Sequence, residues 1–230
     1  MFFDPLYLMM IVPTFLLSIF AQIKVKSTYS KYSKIPTMRG VTGAQAARMI
    51  LQKEGINDVD IEVASGFLSD HYDPSSKKLR LSQGVYSGDS LASVGVAAHE
   101  VGHAIQHARG YAFLRMRTSL VPITMLGSNL AWPLLIIGFL LHSMNLISVG
   151  IVFFSFAVLF QVITLPVEFN ASSRALRVLP ETGILTESEV AGSRKVLQAA
   201  ALTYVAAAAT AIVQLIYFLM RAGIIGGSDE

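Results

Sequence analysis

Residues His99-Glu-Val-Gly-His103 match H-E-x-x-H, the spacing that sets two zinc ligands and a general base on one helix. At 3.6 residues per turn, His99 and His103 stand one turn apart on the same face, so both imidazoles can reach one ion. Glu100 is rotated about 100° from His99, which aims it at a water beside the ion rather than at the ion itself. Zinc held by two neutral imidazoles and one carboxylate would keep a net positive charge and lower the pKa of its water to about 7. Glu100 would take that proton and pass it to the leaving amine, while the scissile carbonyl is polarised as the oxyanion forms. The chemistry expected is peptide-bond hydrolysis with one Zn2+ per chain.

The elements that position these residues look built for a membrane. Of 230 residues, 53% are hydrophobic and 14% charged, against about 25% charged in a typical soluble domain. There is no cysteine, so any zinc must be held by His and carboxylate. Residues 119–141, 146–166 and 199–220 are apolar runs of the length a bilayer requires, about 20 residues. A fourth run, 5–21, is shorter but uncharged. It lacks the basic flank and cleavage site of a signal peptide and reads as a retained anchor. With these spans, residues 23–118 carry 13 of the 18 Lys and Arg, 167–197 carry four, and Arg221 alone lies on the other side. The positive-inside rule then puts 23–118 and 167–197 in the cytoplasm and both termini outside.

The fold expected is mainly α: about four transmembrane helices, a small α+β cytoplasmic cap and an H-E-x-x-H helix. Residues 1–22 form the anchor, 23–90 the cap and 91–230 the metallopeptidase core. Within the cap, Thr42-Gly-Ala-Gln45 has the form of a capping box and opens a short helix stopped by Gly55. Residues 58–63 alternate as a half-buried strand does, and 66–82 read as a hairpin turning at Asp73-Pro-Ser-Ser. A strand near 63–67 could take up an extended peptide at a sheet edge. The metal helix spans 90–108. Burying Glu100 and three His in hydrocarbon would be costly, so it is expected at the membrane surface.

A catalytic zinc site needs a third protein ligand. His107 continues the i, i+4 series but lies about 12 Å along the axis from His99, too far to share an ion on a straight helix. Its expected role is packing, local hydrogen bonding or substrate contact. Glu168 answers to topology. The chain leaves the metal helix, crosses the membrane, turns near His142 and returns, so Glu168 emerges on the face that carries His99 and His103. It also stands where a new helix can start after Pro166.

This arrangement resembles the membrane-bound gluzincin metallopeptidases, such as the HtpX-like and CAAX prenyl proteases. There a transmembrane hairpin follows H-E-x-x-H and leads to Glu-x-x-Ala-Asp, whose Glu is the third ligand and whose Asp orients a ligand His. Here Glu168-Phe-Asn-Ala-Ser172 keeps Glu and Ala, with Ser172 at the Asp position. The strings Leu68-Ser-Asp-His-Tyr-Asp-Pro74, Ala97-Ala-His-Glu-Val-Gly-His-Ala-Ile-Gln106 and Leu165-Pro-Val-Glu-Phe-Asn-Ala-Ser-Ser-Arg174 look like the YugP-type neutral zinc metallopeptidases. The resemblance implies a multi-pass protein of the bacterial cell (inner) membrane acting on protein or peptide substrates.

His71, Tyr72 and Arg174 are oxyanion-donor candidates by residue type, and His71 and Tyr72 suit a turn equally well. Trp132 reads as an interfacial anchor, while Gly127, Gly138 and the alanines at 206–209 read as close helix packing. Two other functions compete. An intramembrane protease would need an Asp on a later span, and none occurs between Asp89 and Asp229. A non-catalytic, metal-stabilised membrane scaffold binding a partner would have no use for Glu100. The partners expected are the lipid bilayer and membrane-associated polypeptide, not nucleic acid, and the oligomeric state is left open.

Overall fold

The computed structural model describes residues 4–225. Seven α-helices and three short strands occur among them, in the order α1 (Pro5–Tyr32), α2 (Gly43–Lys53), β1 (Asp60–Ala64), β2 (His71–Asp73), β3 (Lys78–Ser82), α3 (Gln83–Tyr86), α4 (Leu91–Ala108), α5 (Ala112–Leu140), α6 (Met144–Glu181) and α7 (Glu187–Arg221). The helices α1, α5, α6 and α7 are long and apolar enough to cross a membrane. The chain divides into two compact units.

The first unit takes the chain through Phe20, Arg115–Leu165 and the residues from Thr203. Its core gathers Ala131, Leu135, Ile147, Ile151 and Phe154 with Tyr217 and Phe218. Close approach depends on small residues. A Cβ at Gly127 would lie 2.8 Å from the Phe153 carbonyl oxygen, and one at Gly138 would lie 2.9 Å from the Ile147 nitrogen, which is the packing role expected of both. The Trp132 ring stands edge-on to Phe154 and Phe218, with centroids 6.3 and 5.7 Å away, a geometry aromatic rings prefer.

The second unit, Ala21–Leu114 with Pro166–Leu202, holds the chemistry. The Thr42 hydroxyl accepts from the Gln45 amide at 3.3 Å, and the Gln45 side chain accepts from the Thr42 amide at 2.9 Å, so the capping box opens α2 as read. Ala46, Ala47, Ile50 and Leu51 form the buried stripe of that helix. The sheet order is β1-β3-β2, with β2 antiparallel to β3 and β1 parallel to it in the register Glu62↔Arg80. Asp73 organises the β2–β3 turn. Its carboxylate accepts from the Ser75 amide at 2.9 Å and from the Ser75 and Ser76 hydroxyls at 2.6 Å each. These bonds hold its pKa well below the usual carboxylate range.

Buried Ala92, Val94, Ala97, Ala98, Val101 and Ile105 anchor α4 in this unit's core. Ser90 caps its N-terminus, accepting from the Ser93 amide at 3.1 Å. Two glycines let neighbouring helices close on it. A Cβ at Gly95 would lie 2.9 Å from that of Ser193, and one at Gly102 would lie 2.5 Å from the Ala171 carbonyl oxygen. The helix α6 corrects one expectation: no new helix begins after Pro166, because α6 runs unbroken through Pro166 to Glu181. A proline removes one backbone donor and kinks a helix, but long apolar helices tolerate it where other groups take up the freed carbonyl.

Candidate metal centre

The i, i+4 spacing on α4 brings His99 and His103 together with ring centroids 4.8 Å apart and planes at 84°. From α6, Glu168 places a carboxylate oxygen 3.2 Å from His99 Nε2 and 3.6 Å from His103 Nε2. One ligand atom from each of the three residues lies within 4.8 Å of the others. The trio is secluded, with Glu168 only 2% and His103 8% exposed.

Each imidazole is fixed from behind. The Ser172 hydroxyl lies 3.1 Å from His99 Nδ1. Behind His103, Gln106 Oε1 stands 3.0 Å from Nδ1. The Gln106 amide nitrogen donates to the Val167 carbonyl at 2.8 Å and to Asn170 Oδ1 at 3.0 Å, which fixes which end of the amide faces the ring. An amide oxygen can only accept, so His103 carries a proton on Nδ1 and leaves Nε2 facing Glu168, where it can donate a proton to the carboxylate or, once that proton is lost, offer a lone pair to an ion. Arg174 Nε donates to Asn170 Oδ1 at 2.7 Å, and its guanidinium lies 6.0 Å from the Tyr111 ring centre.

These residues fit a divalent ion. Two imidazole nitrogens and a carboxylate oxygen converge in a secluded place, with hydrogen bonds orienting both rings, as zinc ligands require. The local field agrees. Burial alone would lower the pKa of His103, but the Glu168 hydrogen bond, the Glu100 charge and the Gln106 hydrogen bond outweigh it and raise the group above its ordinary value. The surroundings therefore favour positive charge at His103. Glu100 is 8% exposed and is not one of the three converging residues.

The other expected site residues are placed differently. Tyr72 and His107 are joined to each other, the hydroxyl 2.8 Å from His107 Nδ1, and His107 is not among the converging ligands. Burial of Tyr72, with the nearby charges of Asp58 and Asp73, pushes its phenol up to about 12. His71 binds locally, with Nδ1 2.8 Å from the Ser69 carbonyl and Nε2 3.4 Å from Arg80. Arg174 reaches the site only through Asn170 and Gln106. Those two were given no role in the sequence reading. The available signal was that Gln106 follows His103 by three residues, on the same helical face.

A family model described as "Putative neutral zinc metallopeptidase" matches residues 7–223, and the chain belongs to that family. It is 49% identical to "Putative membrane protease YugP" of Bacillus subtilis (strain 168), over 93% of this chain and 94% of the relative. No solved structure matches it.

Proposed function

We propose that the protein is a zinc-dependent peptidase, anchored in the cell membrane, that hydrolyses peptide bonds of membrane-associated or membrane-proximal polypeptides. The observation that carries this reading is the convergence of His99, His103 and Glu168 within 4.8 Å, with the Glu100 charge felt at His103. His99, His103 and Glu168 would hold the zinc. When bound, the ion supplies a Lewis acid that makes water a competent nucleophile at neutral pH and polarises the scissile carbonyl. Glu100 takes the proton from the attacking water and later delivers it to the departing amine nitrogen. Ser172 and Gln106 hold the two imidazoles so that their Nε2 lone pairs face inward.

An extended substrate can add to a sheet edge. β1 ends at Ala64, with Gly66 at φ +106° just beyond, so 63–67 does not form the continuous edge expected. β2 is the other outer strand, and its Tyr72 meets His107 of the metal helix. We therefore assign the substrate to the β2 edge. On the positive-inside argument the site faces the cytoplasm, with both termini outside.

The test uses the full chain purified in detergent, with zinc counted by elemental analysis and cleavage followed on unstructured fluorogenic peptides. Glu100→Gln is expected to keep about one zinc per chain and to lose cleavage, while Glu168→Ala loses the zinc as well. Cleavage surviving in Glu100→Gln would sink the mechanism. Zinc bound to a wild-type protein that cleaves nothing would favour the scaffold function, and absence of zinc would overturn the metal site itself.

A further inference from the structure

Away from the ligand trio, α1 and α7 flank a cleft of about 470 Å3 lined by Lys24, Thr28 and Lys31 on one helix and Lys195, Gln198 and Leu202 on the other. Each set recurs at three- and four-residue steps, so each is a single helical face. Next to the cleft the two helices touch, since a Cβ at Gly192 would lie 3.1 Å from the Tyr32 ring. Three lysines thus line one cleft with no carboxylate in its lining. The Lys31 ammonium stands 5.7 Å from the Tyr32 ring centre. Elsewhere on this unit, Lys53, Lys77 and Lys78 each have a carboxylate partner. Like charges gathered without acids repel one another unless an anion lies between them.

The position of the cleft along the chain says which anion. Lys24 follows the apolar run 5–21 by three residues, and Gln198 directly precedes the run 199–220. The cleft therefore belongs to the level of the lipid headgroups, and α1 residues toward the apolar run, Phe20 and Ile23, are 55% and 62% exposed. A basic pocket between helices at this level suits a lipid phosphate, with apolar surface alongside for the acyl chains. We propose that this cleft binds an anionic phospholipid, its phosphate held among Lys24, Lys31 and Lys195 and its acyl chains lying along Ile23 and Leu202. The site is independent of the peptidase reading.

The experiment is native mass spectrometry of the full chain in detergent, offered equal amounts of phosphatidylglycerol and phosphatidylcholine with matched acyl chains. Each lysine beside an anionic headgroup contributes about five-fold in affinity. The wild type should retain phosphatidylglycerol at least ten-fold better, and the triple variant Lys24→Gln, Lys31→Gln, Lys195→Gln should lose that preference. Each single Gln variant should show about a five-fold loss, which keeps the test decisive should the triple variant misfold. Lys26→Gln with Lys34→Gln, in the same stretch but outside the cleft, should change nothing. The proposal is overturned if the wild type shows no preference, or if the outside pair loses as much as the cleft lysines. It is also overturned if millimolar inorganic phosphate alone displaces the lipid.

Discussion

Gln106 links the two helices that carry the ligand trio, because the amide that faces His103 also holds the backbone of α6 at Val167. Replacing it with Leu removes an acceptor from His103 and leaves the Val167 carbonyl without this donor in a buried place. Gln106→Leu is expected to weaken zinc binding by about 10- to 100-fold, measured by competition with a chromophoric chelator. An unchanged affinity would mean that the amide orients nothing. At this scale the sequence was uneven in what it disclosed. The pairing of His99 with His103 was legible because its geometry is local to one helix turn. Glu168 was reachable only by following the chain out and back. Gln106 looked like one more polar residue, because its partners lie 61 and 64 positions away.

The contact between α4 and α6 has almost no slack. A methyl group at Gly102 would meet the Ala171 carbonyl oxygen at 2.5 Å, so Gly102→Ala must push α6 away from the metal helix. The expected cost is about 1–3 kcal/mol of stability together with reduced zinc content, read by thermal melting and elemental analysis on the same preparation. A variant that melts and loads like the wild type would contradict this packing.

Asp70 gives a prediction about the β2–β3 layer. Burial raises its pKa, against the hydrogen bonds it accepts from the Ser82 amide and hydroxyl. The folded chain therefore favours the protonated form more than the unfolded chain does. That contribution is fully present at pH below the unfolded value and is lost as pH rises through the raised folded value. Asp70→Asn removes the buried charge, so it is expected to raise Tm at pH 7, and the gain should shrink as pH falls through the Asp70 pKa. A gain constant across that window would assign it to another cause. Among elements, the start of α2 was legible because Thr42 acts on a residue three positions away. The parallel pairing of β1 with β3 was not, since parallel pairing leaves no turn signature. The break expected at Pro166 gave way to a continuous helix, because helix context outweighed one missing donor.

At the scale of the whole molecule, composition alone disclosed the four long apolar helices, since a bilayer demands runs that few soluble domains contain. Their boundaries were less visible: α5 begins at Ala112 and α7 at Glu187, ahead of the apolar runs, where polar first turns belong to the helix but not to the hydrophobic signal. The absence of native cysteine makes the topology testable with a single added thiol. Ser76→Cys on the β2–β3 turn and Asn145→Cys at the start of α6 should lie on opposite sides. An impermeant maleimide should label Asn145→Cys in intact cells and Ser76→Cys only after permeabilisation. The reverse pattern would place the metal centre outside.

Between Val167 and Ser172, α6 meets α4 through four residues on one face: Val167 at Gln106, Glu168 at His99, Ala171 at Gly102 and Ser172 at His99. The helical period therefore limits how such chains can vary. One residue added inside this stretch would turn everything after it about 100° around the axis and carry part of the face away from α4. Length differences among relatives should therefore collect in the turn at 141–143, and the stretch from Glu168 to Arg174 should keep its spacing.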